Sequence, residues 1–93
     1  MYIHIGQDVS ILSSWLVAVL DLDRASAQSQ DFQDFLLQAE EANRLEWLGP
    51  EIPRSVVVCL DRIYLSPVRP ETLKARFSQT YYQAELERLA QGS

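Results

Sequence analysis

The chain has 93 residues, 47% hydrophobic and 23% charged, with a net charge of −5. These are ordinary globular proportions, which exclude a wholly disordered chain. One histidine and one cysteine exclude an internal disulfide and a Cys/His zinc site, which needs three or four N or S ligands.

Residues 2–5, Tyr-Ile-His-Ile, are β-branched and aromatic and run into Gly6, which predicts a strand closed by a tight turn through Gln7 and Asp8. A second strand is expected over 9–12. Ser13-Ser14 interrupts the apolar run, and a third strand is expected over 15–22. Such short connections suggest an antiparallel meander. The unbroken apolar run Leu16-Val17-Ala18-Val19-Leu20 implies cover on both faces, by a helix on one and by another subunit on the other.

Residues 23–30 are small and polar and read as a loop. Ser29 or Asp31 can cap the helix that follows. Phe32, Phe35, Leu36, Ala39 and Ala42 recur at helical spacing, Leu45 and Leu48 extend the stripe, and Gly49-Pro50 ends it, so an amphipathic helix is expected over 31–48. Strands are expected over 55–60 and 63–65, joined by Asp61-Arg62. Pro67 and Pro70 stop the sheet, because proline cannot donate to a ladder. Pro70 also suits the first turn of a helix. Leu73, Phe77, Tyr81 and Ala84 line one face of that helix, expected over 70–90. The sum is one α+β domain over residues 1–93, with a small antiparallel sheet of about five strands, a central helix and a C-terminal helix.

The N-terminus lacks a basic region followed by a long apolar one, so no secretory signal is expected. The run from Val9 to Leu20 is too short to span a bilayer. Cys59, unpaired inside a valine-rich strand, suits a reducing compartment. A soluble cytoplasmic protein is expected.

Catalytic patterns are absent: there is no GxGxxG, P-loop or GxSxG. A nucleophilic Cys59–His4 pair would need the two to meet with an orienting third group. Neither enzymatic activity nor a cofactor or metal is expected. What remains is uneven charge. Residues 21–51 hold eight acids against two bases, a balance of −6, whereas 54–76 carry Arg54, Arg62, Arg69, Lys74 and Arg76 against Asp61 and Glu71, a balance of +3. These five cations are candidates for phosphate contact, since a local basic face can bind nucleic acid even on an acidic protein. They could equally pair with the acidic middle segment of a second subunit. Trp15 is a candidate core residue or an oligomer or partner contact.

Two blocks resemble a known family. Ile3-His4-Ile5-Gly6 with Asp8-Val9 and Val17-Ala18-Val19-Leu20-Asp21 form the first. Ser55-Val56-Val57-Val58, Ile63-Tyr64-Leu65-Ser66-Pro67 and Pro70-Glu71-Thr72-Leu73 form the second. Together they resemble the Rem family of bacterial extracellular-matrix (biofilm) regulators, and the opening Met1 to Gly6 is closer to its RemB branch. The resemblance implies a cytoplasmic transcriptional regulator of matrix genes without a helix-turn-helix. It implies a ring-like homo-oligomer that presents arginines to double-stranded DNA, with multiplicity turning weak contacts into useful affinity. The sequence departs from RemA-like members where they carry DNA-contacting arginines. Ser13-Ser14-Trp15 stands at the entry to the early strand, and Glu51-Ile52 stands before the valine strand, with only Arg54 basic. A scaffold that has lost DNA binding and serves as an oligomeric adaptor for another regulatory protein is the alternative.

Overall fold

The computed structural model describes residues 2–24 and 28–78. They form six strands and two helices in two sheets. β1 (Tyr2–Gly6) and β2 (Val9–Leu12) make an antiparallel hairpin, a sheet of its own. Gln7, with φ 47, closes its turn. A 3-10 turn over Ser13–Trp15 leads into β3 (Leu16–Asp21). α1 (Gln30–Glu41), β4 (Leu45–Trp47), β5 (Ser55–Cys59) and β6 (Ile63–Ser66) follow, and a second helix, α2, occupies 70–78. The second sheet has the order β3-β5-β6-β4. β5 lies antiparallel to both neighbours, and β4 runs parallel to β6. β3 and β4 are therefore parallel edges of one sheet, and α1 connects them by crossing its face.

Three expectations are corrected. The first three strands do not form a meander. The 3-10 turn redirects the chain, and β3 pairs with β5 instead of β2, starting at Leu16 and ending at Asp21. The expected helix over 31–48 stops at Glu41. Asn43 takes the left-handed conformation (φ 58), its N–H bonds Glu40 O and the Arg44 N–H bonds Ala39 O, the paired bonds of a Schellman C-cap. Leu45–Trp47 becomes β4, and the five strands become six in two sheets. Strand ends also move by a residue: β5 closes at Cys59 and β6 extends to Ser66. The portion of the expected C-terminal helix beyond residue 78 lies outside the described residues.

Strand alternation sends side chains into two cores. On one face, Val56, Ile63 and Leu65 meet Ala39, with Phe32 and Leu36 of α1 packed alongside. On the other, Val57 and Cys59 meet Ile3, Ile5 and Ile11 of the hairpin and Leu73 of α2. β5 contributes to both cores, which explains its unbroken apolar sequence. The Leu16–Leu20 run itself is only half-buried: Leu16 and Val19 pack on the hairpin core and Leu20 on the α1 core, while Val17 stays 59% exposed. Ser29 caps α1, accepting a bond from the Phe32 N–H at 3.2 Å.

Candidate nucleic-acid interface

β5 decides where the candidate cations go. Arg54 immediately precedes it, while Arg62 follows it across the hairpin, where its carbonyl accepts the Cys59 N–H. At the usual strand rise these ends are roughly 16 Å apart. The five candidates are thus divided. Arg54 and Arg69 share one end of the sheet, and Arg62 sits at the other, 3.8 Å from Glu46 and close to Arg44, whose Nε donates to Asp61 O. Arg76 donates from Nη1 to His4 O at 2.8 Å, tying α2 to β1.

Two buried serines build the Arg54–Arg69 end. Ser55 and Ser66 are cross-strand partners, both fully buried. Ser55 Oγ donates to Val68 O at 2.8 Å, and Ser66 Oγ accepts the Val68 N–H at 3.0 Å while donating to Ile5 O. The turn through Pro67 and Val68 is pinned to the sheet by these bonds. Arg69, next in the chain, is delivered beside Arg54, and α2 starts there, with the Leu73 N–H bonded to Arg69 O. Asp21 pairs with Ser55 across β3 and β5, so the Asp21–Arg24 corner joins the same end. A groove of 510 Å³ opens at this corner, lined by Asp21, Arg24, Asp31 and Lys74 among others.

Arg24 and Lys74 line this groove, Arg54 bonds Asp23 at the neighbouring strand ends, and Arg69 follows the pinned Val68 turn. Carboxylates temper them. Arg54 Nε lies 2.8 Å from Asp23 Oδ2, and Arg24 Nε lies 3.7 Å from Asp21 Oδ2. These pairs are exposed, and such pairs are typically worth about 0–1 kcal/mol. A phosphate oxygen can displace a carboxylate from them at little cost. Sequence reasoning missed Arg24 because it falls in the acidic segment; only the β3–β5 register brings it to Arg54. It also missed Ser55 and Ser66 as positioning residues, although two serines flanking apolar strands signal a need for buried polar partners.

The departures divide between the two ends: Glu51 and Ile52 stand three and two residues before Arg54, and Trp15 lies by Leu60 at the far end of β5. Trp15 is 42% exposed on the 3-10 turn, its carbonyl accepting the Leu60 N–H. Ile52 is 83% exposed on the loop before β5, next to exposed Glu51. The nucleophile candidates are kept apart. Cys59 packs with Ile3 and Ile5, while His4 between them points outward and its ring bonds Gln7 O. Burial and, secondarily, the Asp61 carboxylate push the Cys59 thiol up to about 11, the reverse of an activated thiolate. Among the described residues no three His, Cys, Asp or Glu side chains gather as a metal site, and no helix is long and apolar enough to cross a membrane.

The order of strand, turn and helix that builds this end coincides with the second sequence block. The family model for RemA-like proteins, described as extracellular matrix regulatory protein A-like, matches residues 2–77. The chain belongs to this family. The match spans the hairpin, both cores and the start of α2, and so includes every residue of the basic end. It makes the chain a member of a family of extracellular-matrix regulators, without separating one branch of the family from another. A search of the curated proteins finds no match.

Proposed function

We propose that this RemA-like chain is a cytoplasmic, homo-oligomeric regulator of matrix genes that contacts duplex DNA through the basic end of its sheet. The observation that supports it is the Ser55–Ser66 pair, whose bonds to Val68 tie the turn before Arg69 and α2 to the strand that Arg54 opens. Phosphate contacts position a protein on DNA and need no base-reading element. With Asp21 and Asp23 tempering four cations, one copy supplies little net attraction. Affinity then has to come from repetition around a ring-like assembly, where each further contact is made at high effective concentration.

The test measures mass in solution with and without duplex DNA, and DNA affinity at about 50 and 200 mM salt. The reading expects an oligomer, a steep fall in affinity with salt, and loss of binding in the Arg54→Ala/Arg69→Ala double variant. Arg62→Ala, at the far end, should leave affinity nearly unchanged. Asp23→Asn, which frees Arg54, should tighten binding. No binding at the lower salt removes the reading. A second reading, an oligomeric adaptor for another regulatory protein, is favoured by the exposed Trp47, Ile52 and Leu37. It gains if the oligomer forms but ignores DNA.

A further inference from the structure

We propose that the groove between α1 and β4 is a docking site for a basic amphipathic helix of another protein. The groove measures 350 Å³ and is floored by Leu36, Leu65 and Pro53, with Leu37 and Trp47 on its walls. Trp47 is paired in parallel register with Leu65, which belongs to the core under α1, so its indole lies on the α1 side of the sheet. It is 62% exposed, and Leu37 is 53% exposed. Neighbouring large apolar side chains left in water mark interaction surfaces, and tryptophan is among the commonest anchors of such surfaces.

Charge and geometry select the occupant. α1 carries no lysine or arginine, and Glu40 is the charged residue in the groove's lining, with Asp34 and Glu41 next to Leu37 and Glu40 on the helix. An apolar groove with Glu40 in its lining, beside a helix that carries acids and no base, fits a helix with leucine-like residues at i, i+3/i+4 and i+7, flanked by lysine or arginine. Strand addition is disfavoured, because β4 offers an edge of only three residues, too short to template a partner strand. Among the described residues, α2 offers no free apolar stripe, since Leu73 and Phe77 pack on the hairpin core, and an α1–α1 contact would set acid against acid.

The test uses the full chain carrying Trp15→Phe, which leaves Trp47 as the only tryptophan. The probe is a synthetic leucine/lysine amphipathic peptide of about 18 residues, long enough for five helical turns. The same peptide with glutamate for lysine is the control. The expected result is a saturable blue shift of Trp47 emission with the basic peptide, weakened by salt, and none with the acidic one. Leu37→Ser and Glu40→Lys should each weaken binding about tenfold. Glu40 is exposed on a helix surface, so that variant serves even if Leu37→Ser folds poorly. Equal response to both peptides, or unchanged affinity in Glu40→Lys, overturns the proposal. So does a blue shift that grows with protein concentration alone, since a second copy would then be the occupant.

Discussion

Ser66→Ala removes one oxygen and two hydrogen bonds. Ser66 Oγ is fully buried; it donates to Ile5 O and accepts the Val68 N–H. Alanine fits the space, so no steric cost arises, and the loss is polar. A buried carbonyl left without its partner costs about 1–3 kcal/mol, and a partly buried N–H somewhat less, giving roughly 2–4 kcal/mol in all. In a domain this size that corresponds to a fall in Tm of the order of 10–25 °C. Urea unfolding is the assay, with the midpoint expected to fall while the slope stays constant. A double cycle with Ser55→Ala should show coupling above about 0.5 kcal/mol, because the serines hold opposite ends of one residue, Val68. A Ser66→Ala loss below about 0.5 kcal/mol would refute the view that this pair pins the turn to the sheet. A destabilised turn should also loosen Arg69 relative to Arg54, so the folded variant is expected to bind duplex DNA more weakly.

Two further expectations concern stability. The Cys59 thiol is raised from 9.0 to about 11 by burial and by Asp61, so its folded pKa exceeds its unfolded one. Stability from this group is full below pH 9 and declines as pH rises toward 11, by about 2–3 kcal/mol at most. Denaturation of Cys59→Ala across that range should lack this portion of the alkaline loss, whereas Tyr64, also raised mainly by burial, titrates in both proteins. Asn43→Val puts a β-branched residue at φ 58 and should cost about 1–2 kcal/mol, while Asn43→Gly should be neutral or slightly stabilising by thermal melt.

Local chemistry made much of the fold legible. Gly6, the Pro67–Pro70 stop and the apolar and β-branched runs put all five expected strands within a residue of their observed ends. α1 announced itself through Phe32, Leu36 and Ala39. Its end was obscured because Leu45 and Leu48 lie at helical spacing from Ala42. Yet Leu45, in β4, packs on the α1 core, and Leu48 belongs to the opposite one. Only the left-handed Asn43 separates these roles, and asparagine in a helical pattern is a weak stop signal. Strand pairing was less legible still. β2 and β3 are neighbours in sequence, but β3 pairs over five residues with β5, where Leu16 and Val19 reach one core and Leu20 the other. The candidate cations were all visible, but pairing across β3, β5 and β6 decides which of them meet. That pairing depends on contacts far apart in the chain.

The same pairing explains how a RemA-like chain can keep its scaffold without the arginines expected near Trp15, Glu51 and Ile52. The bonds that position the basic end come from Ser55, Ser66 and the backbone of Val68. None involves Trp15, Glu51 or Ile52, so those positions can change without moving Arg54 or Arg69. Exposed residues on loops and edges carry little of the folding energy. A hydrophobic Ile52 therefore costs the fold almost nothing and changes what the surface can bind. Exchanging charge for apolar area weakens phosphate contact in proportion to the charge lost and strengthens contact with protein in proportion to the area gained. The surface therefore varies by region: Arg24 and Lys74 share a groove with Asp21 and Asp31, while exposed Leu37 and Trp47 lie along α1 and β4, and a substitution in one region need not disturb the other.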